Sequence, residues 1–427
     1  MDALILAGGR GERLGLDDIP KPMVDFEGTP LIHRQIIELN KCDKIKRVFI
    51  LSGYLNQIIT DYFSKLHFKN LEILHIVEKL PLGTAGAIKQ IQNKVSKRFI
   101  VLYGDVFFDI NIKRFIDFDK KNNCPYGTLF AHPNDHPFDS DLLKIQNNRV
   151  VETLPKPHPI GRVKRNIVNA AFYILSTKIF ELIQENKKLD LAKDVFRKVP
   201  KNGLAAYMSS EFIKDIGTPE RLDSVIKLFR KGLISKRNLL YEQKAIFLDR
   251  DGVINYEKPP FVNLKNFKIY SDVNEFISFA RSKNYLIFIV TNQPSISKGF
   301  ITFDELDLIH EKLEYHLLKN NLFIDEISFC PHHPESGFKG EIKKLKIKCK
   351  CRKPGTKMII DLINKYNINP KKSYMIGDRF ADIKAGKDSK LSTIILDRGM
   401  KGDDKKFYPN LEPDFSFQTL IETKIIL

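Results

Sequence analysis

The sequence predicts an α/β protein built from two doubly wound α/β domains, and three observations carry that prediction. From the N-terminus, short apolar runs alternate with longer amphipathic ones, the βαβ rhythm of a doubly wound parallel sheet. The rhythm restarts near residue 244, with a second set of strands that end in polar loops. The chain has 427 residues, more than one core of ordinary size holds.

In the first half, "DALILAG", "RVFILSG", "LEILHIVE" and "RFIVLYGD" read as buried strands. "PLIHRQIIELNK", "YLNQIITDYFSK" and "TAGAIKQIQNKV" read as the helices between them. In the second half the strands are "KAIFLDRDGV", "YLIFIVTNQ", "EISFCP", "KSYMIGD" and "LSTIILD". The stretch "VIKLFRKGLISKRNLLYEQ" passes from helical periodicity to a basic polar run. Domains are therefore expected over residues 1–231 and 244–427, with a linker at 232–243. The halves share an architecture but no motifs, which indicates a fusion and not a duplication.

Hydrophobic content of 43% and charged content of 29% describe a globular chain. The net charge is +18, from 70 basic and 52 acidic residues. The lysines are scattered, which argues against a nucleic-acid footprint and suits small anionic substrates such as sugar phosphates and nucleotides. No apolar stretch approaches the roughly 20 residues of a membrane helix. The opening run "ALILAGG" reads as a strand and not as a signal peptide, so a cytoplasmic protein without membrane partners is expected. Assembly into a homo-oligomer is left open. Five cysteines do not suggest a disulfide framework in that compartment. Cys42 and Cys124 stand apart and read as structural residues.

"LILAGGRGERLG" (Leu4–Gly15) is a strand running into a glycine-rich loop, whose backbone can approach phosphates closely. A tight βα turn is the plainer reading. Leu14 occupies the position of the third glycine of a dinucleotide loop, and no Gly-Lys-Ser/Thr follows. Arg13 and Lys21 follow instead, two cations suited to a triphosphate. With "KPMV", "PLGTAGA", "YGD", "VNAAFYIL" and "DIGTPERL" in that order, residues 1–225 resemble the sugar-1-phosphate nucleotidyltransferases. That resemblance implies a Rossmann-like, GT-A-type domain in which a sugar 1-phosphate attacks the α-phosphorus of an NTP and pyrophosphate leaves. It implies Mg²⁺ held by Asp105 and Asp215, Arg13 on the leaving pyrophosphate and Lys21 on the phosphates. Gly8, Gly9 and Gly11 would face the nucleotide, Gly83 the nucleobase, and Lys156 and Asn169 the sugar phosphate. Asp215 also suits a helix N-cap ahead of "TPERL", and Asn169 an ordinary polar position. Glu12 departs from the family's usual threonine. In "AHPNDHPFDSD", His132 and His136 are either ligands or part of a solvated loop.

In "KAIFLDRDGVIN", Asp249 and Asp251 sit two apart on a strand-end loop, where one can attack phosphorus and the other can handle a proton. Alone the motif also fits an acidic turn. Followed by Thr291 in "IVTNQ", Lys353 in "CRKPG", and Asp378 and Asp382 in "MIGDRFADI", it resembles the haloacid-dehalogenase-like (HAD-like) phosphatases. The resemblance implies Asp249 as nucleophile and Mg²⁺ ligand. It makes Asp251 the acid/base and the donor of a backbone carbonyl to Mg²⁺. Thr291, Asn292 and Lys353 would bind the substrate phosphate, and Asp378 would be the remaining ligand with Asp382 in support.

"CPH" and "CKC" offer Cys330, His332, Cys349 and Cys351, a ligand set for tetrahedral, structural Zn²⁺. A bare cysteine-rich surface loop is the alternative, and His333 competes with His332. Lys339, Lys343, Lys344, Lys346, Lys348 and Lys350 can offset the negative thiolate centre or stay solvated. Inside the phosphatase motif order, this zinc-binding loop resembles the heptose 1,7-bisphosphate 7-phosphatases and the related histidinol-phosphate phosphatases, in which Arg352 would also reach substrate. "TNQPSISKGF" differs from the usual "TNQSGIARG": Ser295 and Ile296 follow an unexpected Pro294, and Lys298 replaces an arginine. The fusion implies consecutive steps: heptose 1,7-bisphosphate loses its 7-phosphate, then heptose 1-phosphate takes a nucleotide, with GTP expected. A hexose-1-phosphate nucleotidyltransferase beside a histidinol-phosphate-type phosphatase, and a half that only regulates or scaffolds, are the other readings.

Overall fold

The computed structural model describes residues 1–9, 11, 14–15, 18–158, 164–257 and 262–427. It packs as two compact units that divide between Leu240 and Tyr241. Two short stretches from the first half, Pro133–His136 and the described end of Ile160–Asn166, pack with the second unit.

The first unit contains β1 (Asp2–Ala7), the short ribbon β2 (Asp25–Phe26) and β3 (Thr29–Pro30), β4 (Arg47–Ser52), β5 (Glu72–Val77), β6 (Arg98–Tyr103) and β7 (Val106–Asp109). β8 (Gly127–His132), β9 (Leu142–Gln146), β10 (Arg149–Leu154), β11 (Val168–Ser176), β12 (Leu204–Met208) and β13 (Phe212–Asp215) follow. Nine of them form one sheet in the order β5-β4-β1-β6-β11-β8-β12-β10-β9. The first four are parallel, as crossover helices require. β11 then runs antiparallel to both β6 and β8, so the sheet is mixed and not parallel throughout. β7 and β13 pair separately, Asp215 opposite Val106.

Apolar residues facing both sides of the parallel strands explain their burial: Leu4, Ile5, Ile50, Leu51, Ile100 and Val101 are wholly enclosed. The helix expected over "TAGAIKQIQNKV" stops at Lys89. Beyond it the chain tightens into turns closed by Gln92 N–H to the Lys89 carbonyl and Lys94 N–H to the Ile91 carbonyl. Thr218 caps the helix Pro219–Arg230, with proline at its first position.

The second unit is a six-stranded sheet of β14 (Lys244–Leu248), β15 (Tyr285–Asn292), β16 (Glu326–Cys330), β17 (Tyr374–Gly377), β18 (Ser392–Leu396) and β19 (Phe415–Phe417). Its order is β16-β15-β14-β17-β18-β19, and every pairing is parallel. The chain therefore starts in the middle and winds outward in both directions, leaving a crevice at the carboxyl ends of β14, β15 and β17. A capping box of Thr302 and Glu305 starts the helix Phe303–Leu318.

Leu248, the last residue of β14, is wholly buried in this core. Leu248→Ala should destabilise the second unit by about 2–5 kcal/mol. Urea unfolding followed separately for each unit checks this: the transition of the first unit should stay in place.

Candidate active sites

The switch point of the second sheet holds a cavity of about 330 Å³ lined by Asp249, Asp251, Glu257, Thr291, Asn292, Gln293, Arg352, Lys353, Arg379 and Asp382, among others. Asp249 follows β14, Thr291 lies near the end of β15, and Asp378 follows β17. The motifs far apart in sequence thus meet because three neighbouring parallel strands end together.

Carboxylate oxygens of Asp249, Asp378 and Asp382 lie within 4.8 Å of one another. The buried Lys353 ammonium lies 2.9 Å from Asp249 Oδ1 and 2.6 Å from Asp382 Oδ1. Burial works against its charge, but Asp249 and Asp382 outweigh that, and its pKa is raised. Among the described residues, Asp378 accepts the Met400 N–H at Oδ2 (2.7 Å), while Oδ1 is buried without a partner. Burial, then Asp249 and Asp382, push its pKa up to about 9. Burial also pushes Asp382 up to about 6, against the pull of Lys353. Gly252 and Gly399 have φ of +83° and +63°, and a Cβ on either would overlap the Asp378 carboxylate. A ring of hard oxygen ligands, one of them orphaned, fits a divalent cation such as Mg²⁺.

The Asp251 carboxylate is not part of that ring. Arg250 grips it at 2.9 Å (Nη2 to Oδ2) and 3.1 Å (Nε to Oδ1), and Asn255 donates to Oδ1 at 2.9 Å. Gln293 Nε2 donates both to Asp251 Oδ2 (2.8 Å) and to Thr291 Oγ1 (2.9 Å). Asn292 acts on the backbone of Lys353: its Nδ2 donates to the Lys353 carbonyl (3.0 Å), and its Oδ1 accepts the Lys353 N–H (2.9 Å). It therefore sets the position of the cation as well as lining the cavity.

Cys330 Sγ, Cys349 Sγ, Cys351 Sγ and His332 Nδ1 converge to one cluster. The sulfurs are 3.2–3.5 Å apart, and His332 Nδ1 is 3.5 Å from Cys330 and 3.3 Å from Cys351. These distances exclude disulfides, whose sulfurs sit about 2.05 Å apart. Five of the six edges thus span 3.2–3.5 Å and all four donors lie within 4.8 Å of one another, and the donor set suits tetrahedral Zn²⁺. His333 turns elsewhere, accepting the Glu335 N–H at 3.3 Å. The Arg352 N–H points to Cys349 Sγ at 3.4 Å, and the Arg352 side chain lines the cavity. Lys339, Lys343, Lys344, Lys348 and Lys350 are exposed, whereas Lys346 packs on Phe338.

The first unit has its own cavity, about 290 Å³, at the carboxyl ends of β1 and β6. Gly8, Gly9, Lys21, Glu78, Gly83, Thr84, Tyr103, Asp105 and Lys188 line it. Lys21 and Asp105 form an ion pair. Gly83 has φ +71°, and a Cβ there would lie 2.6 Å from the Leu189 carbonyl oxygen. The Ile216 N–H donates to the Asp105 carbonyl (2.9 Å), which brings Asp215 beside Asp105. The Asp215 carboxylate pairs with Arg221 at 2.6 Å, and Arg221 also holds Asp139. Asp105 lines the cavity and Asp215 does not; each carboxylate is held by its own cation, Lys21 and Arg221.

Lys156 and Asn169 do not line this cavity: the Lys156 ammonium donates to the Asp139 carbonyl (2.5 Å), and Asn169 Oδ1 accepts the Ala171 N–H (3.4 Å). Gly11, with φ +81°, closes a turn onto Leu14 N–H (2.8 Å). Arg13 and Glu12 lie outside the described residues. His136 pairs with Asp135 at 2.6 Å, and neither it nor His132 joins a metal-type cluster among the described residues. Glu257, Arg379, Glu78 and Lys188 were not anticipated. Arg379 directly follows the aspartate of "GDR", the one local signal that could have flagged it.

Sheet order and pockets define a two-unit α/β enzyme of phosphoryl chemistry. The nucleotidyl transferase family model matches residues 2–231, more than half of the chain, and the chain belongs to that family. A HAD-hydrolase-like model matches residues 350–423. Over 155 residues the chain is 36% identical to the D-glycero-beta-D-manno-heptose-1,7-bisphosphate 7-phosphatase of Haemophilus influenzae, covering 36% of this chain and 82% of that protein. Over 176 residues it is 31% identical to the D-glycero-alpha-D-manno-heptose-1,7-bisphosphate 7-phosphatase of Campylobacter jejuni, covering 41% and 95%. The first half is similar to a crystal structure of HddC from Yersinia pseudotuberculosis complexed with GMP-PN, at 30% identity, coverage of 53% and 99%, and a TM-score of 0.47. The chain is thus a bifunctional enzyme, nucleotidyl transferase and HAD-type phosphatase. Enzymes of both kinds generally use Mg²⁺. No described helix is long and apolar enough to cross a membrane.

The crowded carboxylates make a pH prediction. Below the ordinary value near 3.8, Asp378 is protonated folded or unfolded and has no effect on stability. Above it the unfolded chain ionises first, so the Mg²⁺-free second unit should lose stability as pH rises toward about 9. Asp378→Asn should flatten that slope and raise the midpoint at pH 8, although it removes a cation ligand. Thermal unfolding of protein dialysed free of Mg²⁺, from pH 5 to pH 9, checks both.

Proposed function

We propose that the chain removes the 7-phosphate of D-glycero-D-manno-heptose 1,7-bisphosphate and then transfers a nucleotidyl group from GTP to the resulting heptose 1-phosphate, releasing pyrophosphate. The observation that carries the phosphatase half is the cavity in which Lys353 is shared by Asp249 and Asp382 beside the orphaned Asp378 oxygen. Among the described residues, the partners of Asp249 both sit on Oδ1: Lys353 and the Arg250 N–H, at 2.7 Å. The second oxygen is the proposed nucleophile. It bonds to phosphorus while the bond from phosphorus to the sugar oxygen breaks, and Asp251 gives that oxygen its proton. Water then attacks the phosphoaspartate, Asp251 takes its proton, and inorganic phosphate leaves. Asp249, Asp378 and the Asp251 carbonyl would hold Mg²⁺, which supplies charge neutralisation for the transferring group. Thr291, Lys353 and Arg352 orient the phosphate, and Asn292 fixes Lys353.

In the first unit Gly8, Gly9 and Gly83 make the floor on which a nucleotide lies. Lys21, released from Asp105, meets its phosphates, with Asp105 and Asp215 as the proposed Mg²⁺ ligands. Catalysis here is alignment and charge neutralisation. The choice of manno-heptose follows the names of the phosphatase relatives, which differ in anomer. The choice of GTP follows from pairing such a phosphatase with a nucleotidyl transferase in one chain.

The test supplies each anomer of the bisphosphate with each NTP and follows phosphate and pyrophosphate separately. Phosphate should appear from the bisphosphate alone, and pyrophosphate only with GTP. Asp249→Asn should cut phosphate release at least about 1,000-fold while leaving transfer to heptose 1-phosphate intact, and Asp105→Ala should do the reverse. Release of neither product from wild-type protein would sink the proposal.

The Cys/His cluster is assigned structural zinc. Elemental analysis should find one zinc per chain, and Cys349→Ser should lower phosphate release while sparing nucleotidyl transfer. Equal loss of both activities would argue against a role confined to the Lys353 loop.

A further inference from the structure

Glu257 is the one residue lining the second cavity whose carboxylate no motif explains. Its Oε1 accepts from Arg379 Nη2 at 3.1 Å, and its Oε2 is buried without a partner among the described residues. Burial, with Asp251 and Asp249 adding to it against Arg379, pushes its pKa up to about 7. Two buried carboxylate oxygens in this pocket are therefore orphaned, Asp378 Oδ1 and Glu257 Oε2. A carboxylate only accepts hydrogen bonds, and leaving one buried and unsatisfied is costly.

Charge supplies the second argument. Asp249, Asp378, Asp382 and Glu257 share the paired cations Lys353 and Arg379, of which Arg379 also meets Asp403 at 3.9 Å, and Arg352 lines the same cavity. Asp251 is matched separately by Arg250. The carboxylates crowd one another, so a divalent cation bound here would offset their repulsion and favour the ionised forms of Asp378 and Glu257. Glu257 does not belong to the set of oxygens that converge within 4.8 Å. It is close enough to feel Asp249 and to act on Asp378, yet outside direct ligation. Mg²⁺ keeps several of its waters, and those waters are donors.

We propose that Glu257 is an outer-sphere acceptor for a water held by the divalent cation of this site, with Arg379 fixing its orientation. The inference rests on the phosphatase reading above. Glu257 is thus a positioning residue, tuning cation affinity without touching the metal. Partners of this kind typically change metal affinity 10–100-fold.

Mn²⁺ binding, followed by electron paramagnetic resonance without substrate, tests it. The full chain carries Asp105→Ala, so that the first unit's proposed cation site is silent. Glu257→Gln and Glu257→Ala should each weaken Mn²⁺ binding at least about tenfold. Both should keep the unfolding midpoint of the second unit and, with Asp105 restored, nucleotidyl transfer. Mn²⁺ affinity within twofold of the parent in both variants would overturn the proposal. So would unchanged affinity with a raised KM for the bisphosphate, which would make Glu257 a receptor for sugar hydroxyls. Parent protein that neither binds Mn²⁺ nor releases phosphate would instead remove the phosphatase reading itself.

Discussion

The second unit is organised around one buried ammonium. Lys353 sits between Asp249 and Asp382, and without it those largely buried carboxylates would repel each other. A buried ion pair of this kind adds little net stability, because removing the charges from water offsets much of their attraction. Its value lies in geometry. The ammonium holds Asp249 in place while Asn292 clamps the lysine backbone from the end of β15. Removing Lys353 or one of its two carboxylates leaves charge uncompensated inside the crevice, and loss of the Asn292 clamp frees the lysine backbone.

Both cavities lie where the strand order turns around the first strand of its sheet, β1 or β14, yet their electrostatics differ. The first pairs one aspartate with one lysine at its floor and awaits a ligand that brings its own negative charges. The second is already over-supplied with carboxylate, and burial keeps Asp378 protonated far above its ordinary range. A triphosphate needs cations and open backbone N–H groups. A phosphate monoester attacked by a carboxylate needs a pocket whose negative charge a divalent ion offsets. The sheets differ, one mixed and one parallel, but each gathers its cavity at the carboxyl ends of parallel strands, and the strand-end loops set the electrostatics.

What could be read from sequence follows the same division. Asp249, Thr291 and Asp378 were legible because each stands at or just beyond the end of an apolar strand, and parallel strands bring their ends together. The Cys330, His332, Cys349 and Cys351 set was legible because its spacing is chemical and does not depend on the rest of the fold. Glu257 and Arg379 were not, since their pairing joins residues 122 apart with no periodicity to announce it. Lys156 and Asn169 were placed by resemblance; the Lys156 ammonium meets the Asp139 carbonyl and its N–H the Asp141 carboxylate, and neither residue is among those lining the cavity. The parallel sheet expected in the first half gives way to a mixed one at β11, because strand runs do not reveal direction.

Arg352 and Lys353 are adjacent in sequence but belong to different environments, and that adjacency connects the two clusters. The sulfur and imidazole donors are soft or borderline, while the ring around Asp378 is all hard oxygen, so each prefers its own metal. Arg352 donates its N–H to Cys349 and sends its guanidinium to the catalytic cavity. Burial lowers its pKa, but the sulfurs of Cys330 and Cys349 favour its charge. A shift of the Cys/His cluster would therefore move a cavity-lining arginine and, one residue later, the ammonium shared by Asp249 and Asp382. In the proposed reading the loop is an arm: a metal on the Cys/His cluster would tie its far end, and its near end carries Arg352 and Lys353 into the cavity.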